Sequence, residues 1–356
     1  MPSPKRWPAI DVAAGDPALL TDQVAHTPES VFAQDWAQLW PPPPSTGAAD
    51  RFGLAVSGGP DSLALLVLAQ AALGADRIAV ATVDHGLRAD SAAEAQGVAQ
   101  VCNARGIAHT TLTLALAHGA AVQERARTAR YHALAGWAGA LGLSALVTAH
   151  HADDQAETLI MRMNRGAGLR GLAGIRPRAT VPGHPLPLLR PLLAWRRADL
   201  LAVVDHAGLV AKDDPSNRDA RFERVRVRAG LASAPWLQPA GLAAAAMHLA
   251  EADAALEWAT DQAWARLIMQ GDGTIVLDRG VFDRGAHDPA LPRALALRVL
   301  ERVIARLGGA GVTRGGDVAR WHDRLTAGEV ATLAGVRGDG RGRAWHFAPA
   351  PPHRGV

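Results

Sequence analysis

The chain has 356 residues, 49% hydrophobic and 20% charged, a balance that suits a globular protein of about two domains and excludes a fibre or a short disordered tail. No apolar run reaches the roughly 18 residues of a membrane span, and the N-terminal stretch lacks the continuous apolar segment of a secretory signal. One cysteine, Cys102, excludes an intrachain disulfide framework and any CxxC site, and the net charge of +3 hides a skew: Lys occurs only at Lys5 and Lys212, so the rest of the 37 basic residues are Arg.

Residues 1–28 are polar, Pro-containing and aperiodic, and are expected to be a disordered tail. Ser30–Trp40 has helical spacing, with Phe32, Trp36 and Trp40 on one face, and Pro41–Pro44 stop it. From Phe52 strands and helices alternate. Strands are expected at 52–56, 77–83, 109–114 and 145–149, and helices at 62–73, 91–105, 122–141 and 155–164. Such alternation implies an α/β, Rossmann-like parallel sheet with helices on both faces. The Pro and Gly clusters near 177–191 read as a loop. Beyond residue 230 the strand period fades. Residues 240–269 and 291–307 have helical period, and 271–282 and 330–347 suit small strands or hairpins. The expected division is a domain over 29–230, with its core at 51–176, and a mainly helical C-terminal region over 231–356.

The segment Ser57, Gly58, Gly59, Pro60, Asp61 and Ser62 lies between an apolar strand and a helix. Two glycines let the backbone approach an anion, the helix start offers free N–H groups and a positive dipole end, and the two serines add hydroxyls. Asp61 would repel phosphate unless a divalent cation bridged them, which points to Mg2+ at Asp61. The plain alternative is a Gly-Pro turn with an ordinary N-cap. No GK[ST] follows the glycines, so this is not a Walker loop.

SGGPDS resembles the signature of the PP-loop (N-type) ATP pyrophosphatases, which have an adenine nucleotide alpha hydrolase-like fold. Further stretches narrow the resemblance to the tRNA(Ile)-lysidine synthases: VDHGLR (83–88), ARTARYHAL (126–134), TAHHADDQAET (148–158), NRGAGLRGLAGI (164–175), RPLL (190–193) and DDPSNRDARFERVRVR (213–228). They follow the family's order over about residues 50–230. The resemblance implies ATP and Mg2+ as cofactors. It implies free L-lysine and an isoleucine tRNA with a CAU anticodon as substrates, and a cytoplasmic location. It also implies catalytic roles for Asp154 and Arg130, beside Asp61 of the loop.

HHADDQAET starts where the fourth strand ends, which puts His150, His151, Asp153 and Asp154 at the carboxyl edge of the sheet, where such sheets bind ligands. Substrate or RNA contact is expected of these residues. Asp154 with Glu157 as a capping box is the competing reading; a zinc site is disfavoured because neighbouring side chains diverge at a strand end. Asp84 and His85, ending the second strand, are expected to touch the nucleotide or to cap the strand. Arg127 reads as a solvated helix face, whereas Arg130, followed by Tyr131, reads as substrate-facing. GAGLRG follows a helix rather than a strand, which rules out a dinucleotide fingerprint. It reads as a flexible basic loop whose Arg165 and Arg170 meet RNA or substrate. Arg224 and Arg226, in the Arg-rich run 218–228, are assigned to the RNA backbone, against the alternative of a solvated charged face.

Other enzymes of the same superfamily are the first rival: sulfur-inserting tRNA enzymes, disfavoured by the lone cysteine, and amide-forming synthetases, which need an ammonia source. A non-catalytic RNA-binding relative is the second. No membrane or disulfide-linked partner is expected. A homodimer is admissible.

Overall fold

The computed structural model describes residues 27–41, 49–84, 91–114, 122–212, 219–265, 268–269, 273–278, 291–308 and 315–351. The chain forms two units, one of Met1–Ala167 with Gly171–His248 and another of Gly168–Arg170 with Leu249–Val356.

The first unit runs α1 (Pro28–Leu39), β1 (Phe52–Ala55), α2 (Pro60–Leu73), β2 (Ile78–Asp84), α3 (Ser91–Ala104), β3 (Ala108–Thr113), α4 (Val122–Ala140), β4 (Ala145–Val147) and α5 (Ala152–Asn164). After the single turn α6 (Leu169–Leu172) come β5 (Arg178–Thr180), β6 (Pro187–Leu189), α7 (Arg197–His206), α8 (Glu223–Ser233) and the start of α9 (Pro239–Trp264). The sheet order is β3-β2-β1-β4-β6-β5; every pairing is parallel except that of the edge strand β5 with β6. This is the expected α/β class. The order reverses between β1 and β4, so the connections leaving their carboxyl ends part and open a crevice there.

The core explains why the order is stable. Phe52 and Leu54 of β1, Leu63, Leu65, Leu66 and Leu68 of α2 and Phe32 and Trp36 of α1 are buried, with the Trp36 and Phe52 rings edge-to-face at 4.7 Å. On the other face, a Cβ on Gly53 would sit 2.7 Å from the Trp137 ring, so only glycine lets α4 lie this close to β1.

Three elements depart from expectation. The stretch 177–191 is not a loop: it forms the β5–β6 hairpin. Pro187 is tolerated as the first residue of β6, and Gly183 takes φ 77° at the turn. α5 begins at Ala152 rather than Gln155, with His151 as N-cap. The division between units falls inside α9 rather than at residue 230, because α8 pairs its arginines with α5.

The second unit adds β7 (Ile268–Met269), β8 (Ile275–Asp278), α10 (Arg293–Leu307), α11 (Gly315–Thr326), β9 (Val330–Leu333), β10 (Val336–Asp339) and β11 (Ala344–Pro349). Its helices accompany an antiparallel sheet of order β7-β8-β11-β10-β9, around a core that includes Trp321, Trp345 and Phe347. The β9–β10 hairpin turns on Ala334 and Gly335, both at positive φ. Asp253 and Glu257 on α9 face Arg298 and Arg302 on α10 at helical spacing. Among the described residues no helix is long and apolar enough to cross a membrane.

Candidate active site at the carboxyl edge of the sheet

The connection from β1 to α2 is a closed loop. Gly58 adopts φ +86°, and a Cβ there would lie 3.2 Å from Val98 Cγ2. The Ser57 amide donates to Ser62 Oγ at 3.2 Å, and Ser62 Oγ donates to the Gly59 carbonyl at 2.9 Å. Gly59 caps α2 with no side-chain hydrogen bond, and Pro60 starts the helix. The first amides of α2 therefore have no acceptor within the helix and face the crevice end with its partial positive charge.

Asp61 reaches across to the β4 side. His151 Nε2 lies 3.5 Å from Asp61 Oδ2 and 3.6 Å from Asp154 Oδ2, and its Nδ1 lies 3.7 Å from Asp153 Oδ2. One imidazole, 2% exposed, thus joins the phosphate-type loop to the start of α5. Burial opposes a charge on this ring, but the neighbouring carboxylates of Asp153, Asp61 and Asp154 outweigh it and raise its pKa to about 9. Asp154 accepts a hydrogen bond from the His151 amide at 3.1 Å. Burial works against its ionisation, yet His151 and Arg224 hold its carboxyl below the usual carboxylate range. Asp153 is likewise held low, against burial, by His151 and Arg196 and by the Arg197 amide. His150 behaves oppositely: burial, reinforced by Arg190, Arg224 and Arg127, pushes it down to about 3, so the ring is neutral and bonds Thr148 Oγ1 at 3.0 Å.

Four of these residues stand elsewhere than the sequence reading put them. His151 and Asp153 are engaged within the protein: His151 is buried among carboxylates, and Asp153 is gripped by Arg196 through two bonds of 3.1 Å. Arg224 is not free for RNA backbone. It turns inward, with Nε 2.8 Å from Glu157 Oε2 and Nη2 3.5 Å from Asp154 Oδ1. Arg170 is taken up by carboxylates, 2.6 Å from Glu257 and 3.2 Å from Glu301. The GAGLRG segment is also tied rather than loose, because Gln155 bonds both backbone groups of Ile175 and Arg162 donates to the Gly171 and Gly174 carbonyls. The capping box at α5 pairs Asp154 with His151, so Glu157 is released from that role.

The remaining expected residues are placed as follows. Arg130 is half-buried, its guanidinium carbon 5.4 Å from the Tyr131 ring centroid. Asp84 ends β2 at the same edge of the sheet, and His85 lies outside the described residues. Arg165 pairs with Glu223, and the exposed Arg226 donates to the Ala220 and Arg221 carbonyls.

Sequence reasoning gave Glu157 only a capping role, whereas this residue, 2% exposed, carries Arg224 and Arg228. It missed Arg197, 3.9 Å from Asp61 Oδ1. The D-x-x-E spacing was a signal for Glu157; Arg197 had none, because the preceding hairpin read as a loop.

The family model of the PP-loop domain matches residues 28–234. A tRNA(Ile)-lysidine synthase of Novosphingobium aromaticivorans is 58% identical over 328 residues, covering 91% of this chain and 94% of that protein. One of Zymomonas mobilis is 39% identical over 317 residues, 87% of this chain and 92% of that protein. A U34-tRNA thiolase of Methanococcus maripaludis, 15% identical, superposes with a TM-score of 0.50 over 63% of this chain and 77% of its own, a likeness of fold alone. With the loop, the crevice and full-length similarity in agreement, the chain belongs to the tRNA(Ile)-lysidine synthase family of PP-loop proteins.

Proposed function

We propose that the chain joins free L-lysine to the wobble cytidine of the CAU anticodon of an isoleucine tRNA, consuming ATP and giving lysidine, AMP and pyrophosphate. The observation that carries this reading is the single imidazole of His151 bridging Asp61 of the phosphate-type loop and Asp154 of α5, which supports an amine site beside the nucleotide site. In the first step the cytidine carbonyl oxygen attacks the α-phosphorus and pyrophosphate leaves. In the second the lysine ε-nitrogen bonds to carbon 2 of the base, and the bond from that carbon to oxygen breaks with AMP.

The residues divide this work by charge. The loop amides and the Ser57 hydroxyl hold the pyrophosphate end, while Ser62 braces the loop from within. Arg130 offsets negative charge developing at the α-phosphate. The neutral ring of His150 offers the base a hydrogen bond without competing for phosphate. Asp154 receives the ε-ammonium. A carboxylate held this low is a poor base for an ammonium of pKa ~10.4. The neutral-amine fraction therefore attacks, and Asp154 takes the proton only after bonding to carbon has made that nitrogen far more acidic. Asp84 faces the nucleotide, and Arg165 and Arg226 lie on exposed surface where tRNA backbone would pass. The C-terminal region supplies further tRNA contact; its exposed Trp258 is a face on which a base can stack.

Asp61 also fits a Mg2+ ion. Its Oδ1 is buried and has no hydrogen-bond partner, and Mg2+ is characteristically held by one or two carboxylates together with substrate phosphates. The ion would neutralise charge on the pyrophosphate leaving group. Use of ATP and tRNA supports a cytoplasmic location.

The test is mass spectrometry of the wobble nucleoside after incubation with ATP, lysine and a CAU isoleucine tRNA transcript. Lysidine is expected. A sulfur-modified base or no modified base would refute the reading. The single Cys102, wholly buried, leaves no cysteine pair for sulfur transfer.

A further inference from the structure

A second group of charges stands at the carboxyl edge of the sheet, apart from the His151 constellation. Arg190 follows the end of β6, the neighbour of β4, and is more than nine-tenths buried at 8% exposed. Its Nη1 donates to the Arg176 carbonyl at 2.7 Å, but its Nε is buried without a hydrogen-bond partner, as is the hydroxyl of Tyr131. Tyr131 is 1% exposed, and the guanidinium carbons of Arg127 and Arg130 lie 5.2 and 5.4 Å from its ring centroid. Arg196, Arg197, Arg224 and Arg228 all face carboxylates. Among the described residues no carboxylate pairs with Arg127, Arg130 or Arg190.

A guanidinium does not shed its proton in a protein, so a buried one keeps its charge and needs an anion. Burial lowers the Arg190 pKa, the Tyr131 hydroxyl opposes this, and the like charge of Arg127 adds to it. Arg130 shows the same pattern of burial and repulsion by Arg127, relieved by Tyr131. None of the described residues supplies the counter-charge, which points to a ligand.

Position and sign select the ligand. β4 lies between β1 and β6, so at the usual strand spacing Arg190 follows a strand about 10 Å from the one that feeds the phosphate-type loop. That distance suits an anion other than the pyrophosphate. Free lysine carries net positive charge at neutral pH, so unpaired guanidiniums repel it as a whole, whereas they attract a polyanion. Exposure also runs from Arg127 at the surface to Arg190 inside, which suits a chain entering from solvent. We propose that Arg190, seconded by Arg127, grips a backbone phosphodiester of the RNA beside the nucleoside that enters the site. The proposal rests on the RNA substrate of the preceding section; Arg130 keeps its place at the nucleotide.

The test compares wild type with full-length Arg190→Gln for binding of the CAU isoleucine tRNA across a NaCl series, and for the KM of ATP and of lysine in pyrophosphate release. RNA affinity should fall about tenfold, and the slope of log Kd against log salt should shrink by about 0.7, the loss of one phosphate contact. Both KM values should stay within about twofold. An unchanged slope and affinity would overturn the proposal. So would a rise in the KM of ATP or of lysine with RNA affinity intact, because the anion would then be a nucleotide phosphate or a carboxylate. Should Arg190→Gln fail to fold, wild-type protein is tested against anticodon stem-loops carrying single methylphosphonates. One position is expected to lose about tenfold in affinity, and a flat profile would overturn the proposal. Failure of the functional reading looks different: wild type would bind RNA with the Arg190-dependent slope yet form no lysidine.

Discussion

Glu157→Gln is the sharpest probe of the site's electrostatics. The carboxylate is 2% exposed, accepts a hydrogen bond from Arg228 Nε at 2.6 Å and is ion-paired with Arg224, whose Nε lies 2.8 Å away. Glutamine preserves the shape but removes the charge and turns an amide toward two guanidiniums. Orphaning one side of a fully buried ion pair costs about 3–5 kcal/mol. Arg224 and Arg228 are 39% and 34% exposed, so water screens the cations left behind and about 1–3 kcal/mol remains. In a unit of this size about 2 kcal/mol lowers Tm by about 4–8 °C. A chemical effect should accompany it: Arg224, freed from Glu157, already sits 3.5 Å from Asp154 Oδ1 and would compete with the lysine ammonium there. The KM of lysine should rise about tenfold, with the KM of ATP unchanged. Thermal melts of Glu157→Gln, Arg228→Met and the double variant read the first effect, with a coupling of at least about 0.5 kcal/mol expected. A Tm shift below about 1 °C together with additive single variants would refute the argument that Glu157 anchors α8 to α5.

Asp61→Asn should cut pyrophosphate release by about 100-fold or more while tRNA affinity stays within about twofold; normal turnover would refute the assignment of the loop carboxylate. The kcat/KM of lysine should climb about tenfold per pH unit between about pH 7 and 8.5, because the neutral amine fraction does so and Asp154 stays ionised throughout; a flat profile would show that amine deprotonation does not precede attack. Cys102 is fully buried, and burial pushes its thiol to about 11, so it should resist iodoacetamide in the folded protein at pH 8 and react fully in denaturant; labelling of the native protein would contradict its placement in the core.

The strand and helix alternation from Phe52 to Asn164 was legible because short apolar runs at β1, β2 and β4 alternate with helical stretches of 13 to 19 residues. The β5–β6 hairpin was not, because a three-residue strand opening on Pro187 looks like a turn until β4 lies beside it. The phosphate-type loop could be read from SGGPDS alone, since its chemistry is local. The link from Asp61 to His151 could not: the residues stand far apart in sequence and meet only because β1 and β4 are neighbours. Arg224 misled for a similar reason. Its run of arginines looks like a solvated or RNA-facing stripe, and only the docking of α8 shows that alternate members turn toward Glu157.

The same distinction governs how the site can serve substrates of opposite charge. Around His151, the carboxylates of Asp61, Asp153, Asp154 and Glu157 are matched by Arg196, Arg197, Arg224, Arg228 and the imidazole. That half is close to neutral, so an ammonium can exchange for an existing cation at Asp154 without a large field opposing it. Around Tyr131 the arginines have no such partners among the described residues, and the field there favours anions. Had Arg127, Arg130 and Arg190 carried carboxylate partners, RNA would need to break pairs to bind; had the His151 half lacked its arginines, the carboxylates would repel the triphosphate brought by the neighbouring loop. In the proposed reaction, separation of a balanced half from a cationic half would let lysine, ATP and RNA approach one crevice together.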